Sequence, residues 1–414
     1  MAWNAPCPTR PVDADLTVPG SKSATARALV LASLACGPGS ITAGLRARDT
    51  SLMIAGLRGL GARIDDSGPA WQVEPIRQVY GKARIDCGLA GTVMRFLPPV
   101  AALGGGSVEF FGDPAASERP MTGLLDGLRQ LGAVVDGSRL PFTVCGPISA
   151  EQATIDASAS SQFVSALLLA AARFPSGVKL THCGGDIPSM PHIDMTIAAL
   201  AARGVQVREE DSSWQVCPGP IRPLDEIIEP DATTAAAFLA AAVATGGRVS
   251  VLGWPNQTTQ PGVRMVDILE QMGAVVELSA DRLTVHGTGQ IRGIDIDLHQ
   301  ASELTPVVAA LAGLADTPST IRGVGHIRGH ETDRLAALSG GITALGGDCR
   351  ETDDGLVIHP RPLHAGVFPT HADHRLAHAG ALIGLQVAGV VLDDVDCTSK
   401  TMPEFPVVWQ EMVQ

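Results

Sequence analysis

Leu124-Leu125-Asp126-Gly127-Leu128-Arg129-Gln130-Leu131-Gly132-Ala133-Val134-Val135 reads as an amphipathic helix that a glycine ends before a β-like run. Glycine supplies the left-handed residue that such a helix end needs. The same ending recurs at Leu60-Gly61-Ala62-Arg63-Ile64, Arg203-Gly204-Val205-Gln206-Val207, Met272-Gly273-Ala274-Val275-Val276 and Leu345-Gly346-Gly347-Asp348-Cys349. Successive glycines stand 71, 72, 69 and 73 residues apart, and a fixed period of this kind marks an internal repeat.

Outward from this helix, a second, Ala/Leu-rich helix precedes each ending and occurs six times, at about residues 23–35, 91–103, 160–173, 233–245, 304–314 and 376–388. A short strand-like run follows every copy, from Ser40-Ile41-Thr42 to Val390-Val391-Leu392. The unit is therefore strand, apolar helix, strand, amphipathic helix, strand, strand. The apolar helices are too uniformly hydrophobic for a surface, so they are expected inside with the sheets outside.

A chain of 414 residues exceeds what one core supports. The prediction is an α/β protein of two similar inverse α/β-barrel-like lobes, each of three βαβαββ repeats around buried parallel helices. The change of lobe belongs between Leu224 and Pro230, after Pro218-Gly219-Pro220 and Asp225-Glu226. The last unit has no strands after its terminal helix, so residues before Pro19 should complete that lobe. This gives residues 1–18 plus 228–414 as a lower lobe and 19–227 as an upper lobe, with the active site in the cleft between them.

A net charge of −13 excludes a phosphate-polymer partner or an acidic membrane surface, since either needs a basic face. No charged-then-apolar leader and no bilayer-length apolar run occur, so a cytoplasmic location is expected. Eight cysteines without a Cys-x-x-Cys pair fit small buried hydrophobes in a reducing compartment rather than metal or disulfide sites.

Polar residues collect where the apolar helices begin. Pro19-Gly20-Ser21-Lys22-Ser23-Ala24-Thr25-Ala26-Arg27 places Lys22 and Arg27 beside a helix N-terminus, without the spacing of a nucleotide-hydrolase phosphate loop. The other starts carry Gly91, Thr92 and Arg95; Ser160, Ser161 and Gln162; Asp231, Thr233 and Thr234; Glu303; and His374 and Arg375. Each has a plainer reading: Ser160, Ser161, Asp231 and Thr233 as caps, Gly91 as a turn or as room for a ligand, Arg119 as a loop salt bridge. A metal reading of His330-Glu331 fails because Arg334 stands where the second histidine ligand would be, and Arg375 would repel a cation beside His371-Ala372-Asp373-His374.

Seven motifs then occur in a recognisable order: Pro19-Gly20-Ser21-Lys22-Ser23 with Arg27, Ala90-Gly91-Thr92-Val93-Met94-Arg95, Glu118-Arg119-Pro120, Ser160-Ser161-Gln162-Phe163, Glu331-Thr332-Asp333-Arg334, Asp373-His374-Arg375 and Lys400-Thr401. From end to end the sequence resembles the EPSP synthases, the 3-phosphoshikimate 1-carboxyvinyltransferases. The resemblance implies two lobes closing over shikimate 3-phosphate and phosphoenolpyruvate, with no metal or organic cofactor and a monomeric state. It implies Lys22, Ser23, Arg27, Ser160, Ser161, Gln162, Ser189, Glu303 and His330 as holders of shikimate 3-phosphate. For phosphoenolpyruvate it implies Lys22, Gly91, Arg119, Gln162, Arg334, Arg375 and Lys400. Glu303 and Glu331 are the candidate acid–base carboxylates, with His330 beside them and Lys22 as an acid toward the leaving phosphate.

The inventory has a chemical reason. Both substrates are polyanions, so arginine and lysine forks must offset their repulsion. Addition to an enol ether and elimination of phosphate each need a proton delivered and a proton removed. Four positions depart from the family pattern: Glu303 stands where many members have Asp, His330 where many have Lys, His326 where many have Asn, and Ala26 where Asn is usual. The alternatives are a UDP-amino-sugar enolpyruvyl transferase, disfavoured because Pro114-Ala115-Ala116-Ser117 lacks its reactive cysteine, a silent binding relative, and a structural repeat array.

Overall fold

The computed structural model describes residues 1–79 and 81–414. All six apolar helices form, at Lys22–Leu34, Gly91–Ala101, Gln162–Ala171, Ala232–Thr245, Thr305–Gly313 and His374–Gly384. Their sequences leave almost no polar face: every residue of Gly91–Ala101 and of His374–Gly384 is buried. A helix apolar all round is stable only when surrounded, and here the sheets surround it.

The chain divides into two compact units, Met1–Pro19 with Glu229–Gln414, and Gly20–Ile228. Each has its own hydrophobic core, and each core is built on three of the apolar helices. In the unit Gly20–Ile228, the helices Lys22–Leu34, Gly91–Ala101 and Gln162–Ala171 touch one another; in the other, Ala232–Thr245, Thr305–Gly313 and His374–Gly384 do the same.

Six small mixed sheets cover these cores, five of four strands and one of three among the described residues. One repeat shows the pattern. Arg84–Asp86 runs parallel to Ser107–Phe111 with Ile85 opposite Phe110, and Phe142–Cys145 returns antiparallel with Val144 opposite Val108. Val134–Asp136 closes the sheet beside Phe142–Cys145. Strands such as Gln152–Ile155 alternate exposed and buried residues, as a sheet with one wet face requires.

Two strands are exchanged relative to chain order. Asp13–Leu16, immediately before the first apolar helix, pairs with Arg248–Leu252 in the sheet of the fourth repeat. Glu226–Ile227, immediately before the fourth apolar helix, pairs with Gly39–Thr42 in the sheet of the first. Trp3–Asn4 completes the three-stranded sheet by pairing antiparallel with Val390–Leu392. The backbone N–H of Asp231 donates to the carbonyl of Pro19, tying together the two segments where the chain leaves and re-enters the unit that holds both termini. Among the described residues no helix is long and apolar enough to cross a membrane.

Candidate active site

Six of the expected site residues, Glu303, His330, Glu331, Arg334, Arg375 and Lys400, form one connected network in the unit Met1–Pro19 with Glu229–Gln414. Its centre is Arg334, the first residue of the helix Arg334–Ala344, with no solvent exposure. Its Nε donates to Asp373 Oδ2 at 2.7 Å and its Nη2 to Asp373 Oδ1 at 3.3 Å. Nη1 donates to Glu303 Oε2 at 2.9 Å and to His330 Nδ1 at 3.0 Å, and Nη2 donates to Glu331 Oε2 at 3.0 Å. These contacts equal the five N–H groups a guanidinium owns. In this arrangement Arg334 has no spare donor, so it organises the site, and an anion could reach it only by displacing a carboxylate or His330.

The surrounding charges fix protonation states. Burial alone would raise the Glu303 carboxyl, but Arg334, His330 and Arg375 outweigh it and hold the group well below the usual carboxylate range. His330 Nδ1, 3.0 Å from Arg334 Nη1, also lies 3.7 Å from Glu303 Oε1, so the imidazole stands between the guanidinium and the carboxylate. Glu331, 9% exposed, accepts from Lys400 Nζ on its other oxygen. Arg375 is buried at the start of His374–Gly384, with Nε 3.6 Å from Glu303 and neither Nε nor Nη1 hydrogen-bonded among the described residues. It is therefore better placed than Arg334 to accept an incoming anion.

Local structure explains these positions. Asp373 is the N-cap of His374–Gly384, accepting from the N–H of Arg375 at 2.8 Å while it also holds Arg334. His371 and Ala372, just before it, have φ of 50° and 56°, a left-handed pair that costs about 1–3 kcal/mol per residue and is kept only where the surroundings enforce it. Behind Arg375, fully buried His378 stacks on Phe405 at 4.5 Å, and burial then Arg375 push its pKa well down, so it is neutral.

In the unit Gly20–Ile228 the expected residues lie at the matching helix starts. Lys22 opens Lys22–Leu34 behind the cap Ser21, its Nζ 3.9 Å from buried Asp49. Arg27 is buried one turn on and serves the fold. Its Nε donates to Thr196 Oγ1 at 2.8 Å, Nη1 to the carbonyl of Ser23 at 3.0 Å, and Nη2 to the carbonyl of His192 at 2.6 Å. Without an ion-pair partner among the described residues, it is pushed down by burial to about 9. Ser189 precedes the helix Pro191–Ala202 with φ of 54°, and its carbonyl accepts from the N–H of His192.

Gln162 opens Gln162–Ala171 and its Oε1 accepts from Arg95 Nη1 at 2.9 Å, which turns its amide NH2 away as a donor. Ser160 Oγ accepts from the N–H of Gln162 at 3.3 Å, whereas Ser161 makes no side-chain cap and Asp231 does, accepting from Thr234. Arg119 is not a loop salt bridge: Nη1 donates to the carbonyl of Leu89 at 3.2 Å, Nε is unpartnered, and no carboxylate pairs with it among the described residues. Gly91 does leave room, but for this guanidinium. A Cβ there would stand 2.9 Å from Arg119 Nη2 and 3.0 Å from Nη1.

Two structural partners have no role in the sequence reading. Asp373 stands there as part of the Asp373-His374-Arg375 motif, and only the fold shows it holding Arg334. Asp49 lies in the first turn of Arg48–Gly59, where acidic residues are common, and only the packing brings it to Lys22.

An α/β chain of six repeats, with ionised carboxylates pinned at helix starts in one unit and an uncompensated arginine beside a glycine in the other, has the make-up of a group transferase for small anionic substrates. The family model for EPSP synthase (3-phosphoshikimate 1-carboxyvinyltransferase) matches residues 7–409. A 3-phosphoshikimate 1-carboxyvinyltransferase of Mycobacterium ulcerans (strain Agy99) is 51% identical over 421 aligned residues, covering 100% of this chain and 98% of that protein. Two structures of EPSP synthase from Acinetobacter baumannii superpose with TM-scores of 0.83 and 0.81, each at 22% identity, over 99% of this chain and 98% of theirs. The chain belongs to the EPSP synthase family.

One departure from the family pattern yields a stability prediction. Burial, reinforced by His299 at 5.5 Å, pushes His326 down from 6.5 to about 4. Between those values the unfolded chain binds the proton and the folded chain does not, so stability present above 6.5 is lost as pH falls toward 4. Urea unfolding across that window should show the decline, and His326→Asn should reduce its slope, leaving the share that buried His378 contributes. An unchanged slope in the variant would exclude His326 as its source.

Proposed function

We propose that this chain moves the carboxyvinyl group of phosphoenolpyruvate onto the 5-hydroxyl of shikimate 3-phosphate and releases phosphate, by addition and elimination through a tetrahedral intermediate. The reaction belongs to the shikimate pathway toward chorismate and the aromatic amino acids. The observation that carries the reading is the carboxylate pair Glu303 and Glu331 meeting on the buried guanidinium of Arg334.

Held ionised, Glu303 begins as a base and takes the proton from the 5-hydroxyl. Glu331 carries Lys400 on its second oxygen, so this pair delivers a proton to the methylene carbon. Elimination reverses the roles, and Lys22 protonates the departing phosphate. Shikimate 3-phosphate is held by Lys22, Ser23, Ser160, Ser161, Gln162, Ser189, Glu303 and His330, with Arg27 behind them. Phosphoenolpyruvate meets Lys22, Arg119, Gln162, Arg375 and Lys400, and gains Arg334 only when a carboxylate gives way. Gly91 contributes by seating Arg119. The reading assigns substrate-holding residues to both units and makes the enzyme a cytoplasmic monomer without metal or organic cofactor.

The purified chain should release phosphate from phosphoenolpyruvate only when shikimate 3-phosphate is present, and equal release with a UDP-amino sugar would overturn the assignment. Glu303→Gln should lower kcat by about a hundredfold or more, the size expected for loss of a general base, with a much smaller rise in the shikimate 3-phosphate KM because the amide keeps a hydrogen-bonding oxygen. Wild-type turnover would remove Glu303 from that role.

Gly91→Ala tests the seat of Arg119. The new methyl meets the far end of a flexible side chain, so the melting temperature should hold while the guanidinium moves. The phosphoenolpyruvate KM should then rise by about tenfold, or about 1.4 kcal/mol, with the shikimate 3-phosphate KM unchanged. Equal effects on both substrates would contradict the placement.

A further inference from the structure

A cavity of about 510 Å³ opens in the unit Met1–Pro19 with Glu229–Gln414, between the loop 254–260, the helix Met265–Gln271 and the strands Val275–Leu278 and Arg282–His286. Cavities of about 300–1,000 Å³ hold small molecules. Trp254, Val266 and Leu283 give it apolar walls, and Leu278, on the same lining, is left 54% exposed. Its charged members are Arg264, Asp267 and Glu270, three residues apart along one helix face. None of the three side chains has a hydrogen-bond or ion-pair partner among the described residues. The cavity shares no residue with those assigned to the reaction.

We propose that this cavity binds a free α-amino acid with a large apolar side chain. A guanidinium takes the carboxylate as a fork, the two carboxylates take the ammonium, and the apolar walls take the side chain. Only a zwitterion presents both charges at one end of an apolar body. A phosphorylated or dicarboxylic metabolite would meet Asp267 and Glu270 as like charges.

Occupancy is coupled to the segment where the chain re-enters this unit. Thr258, on the cavity lining, donates to Glu229 Oε1 at 2.7 Å. Gln260 Nε2 donates to the same oxygen at 2.7 Å and to the carbonyl of Pro230 at 2.8 Å, while its Oε1 accepts from the N–H of Ala232 at 3.1 Å. A ligand pressing on the loop 256–258 therefore changes the grip on residues 229–232.

The test is calorimetric titration of the full chain with L-phenylalanine, and with 3-phenylpropionate, phenethylamine and glycine as probes lacking the ammonium, the carboxylate or the side chain. L-phenylalanine should bind with Kd of about 1 mM or tighter, and each probe about tenfold or more weaker. Arg264→Gln should weaken L-phenylalanine about tenfold and leave phenethylamine unchanged; Asp267→Asn with Glu270→Gln should weaken L-phenylalanine similarly and leave 3-phenylpropionate unchanged. Both variants should keep wild-type phosphate release in the absence of amino acid. Bound L-phenylalanine should alter amide hydrogen exchange across 229–234. No saturable binding up to about 10 mM, single-charge probes binding as well as the zwitterion, variants that bind like wild type, or unaltered exchange at 229–234 would each overturn the proposal.

Discussion

A guanidinium wholly removed from water must find its counter-charges inside the protein, and Arg334 finds three. Burial would lower its pKa, yet Asp373, Glu303 and Glu331 raise it well above the ordinary value, so it stays charged. Removing one partner of such a buried cluster typically costs about 3–5 kcal/mol, because the remaining charges lose compensation. The dependence runs both ways: Arg334 fixes Glu303 at one helix start, Asp373 at another, and Glu331 just before its own. The acidic part of the site is thereby positioned by one side chain, and with Lys400 and Arg375 the cluster holds three cations and three carboxylates.

That convergence is possible because the fold is inside out. Helices such as Gly91–Ala101 and Ala232–Thr245 have no face for water, so each unit builds its core from three of them and covers that core with small sheets. Their polar residues are concentrated in their N-terminal halves. The left-handed pair His371 and Ala372 shows the local strain this demands, since the backbone turns sharply to bring Asp373 to both the helix cap and Arg334.

Much of this was legible in the sequence. The six apolar helices could be read from composition alone, because no other packing tolerates so few polar residues, and the recurring glycine gave the period. The lobe completed by the residues before Pro19 was expected, but the strand pairing within it could not be read. Asp13–Leu16 and Glu226–Ile227 are short, and nothing in either segment says that its partner lies more than 180 residues away. Site residues were found by type and order, but their work was not. Gly91 reads as space, and the structure shows who fills it. Arg334 reads as an anion fork, and its donors prove to be engaged. Asp373 passes for a routine cap and Asp49 for a routine first-turn acid until packing brings them to Arg334 and Lys22.

The two units handle charge differently. In one, the six ionised groups around Arg334 cancel, so that half orders carboxylates and protons rather than accumulating positive potential. In the other, Arg27 is held by hydroxyls and carbonyls, dipoles instead of a counter-ion, and its lowered pKa of about 9 records the cost of an uncompensated buried charge. Arg119 likewise has a carbonyl and no carboxylate among the described residues. An anion bound beside such a charge relieves an electrostatic cost already present in the free chain and so stabilises the state that binds it. A net charge of −13 is therefore no bar to local positive charge, because Arg27, buried, and Arg119, half-buried, have no carboxylate partner among the described residues.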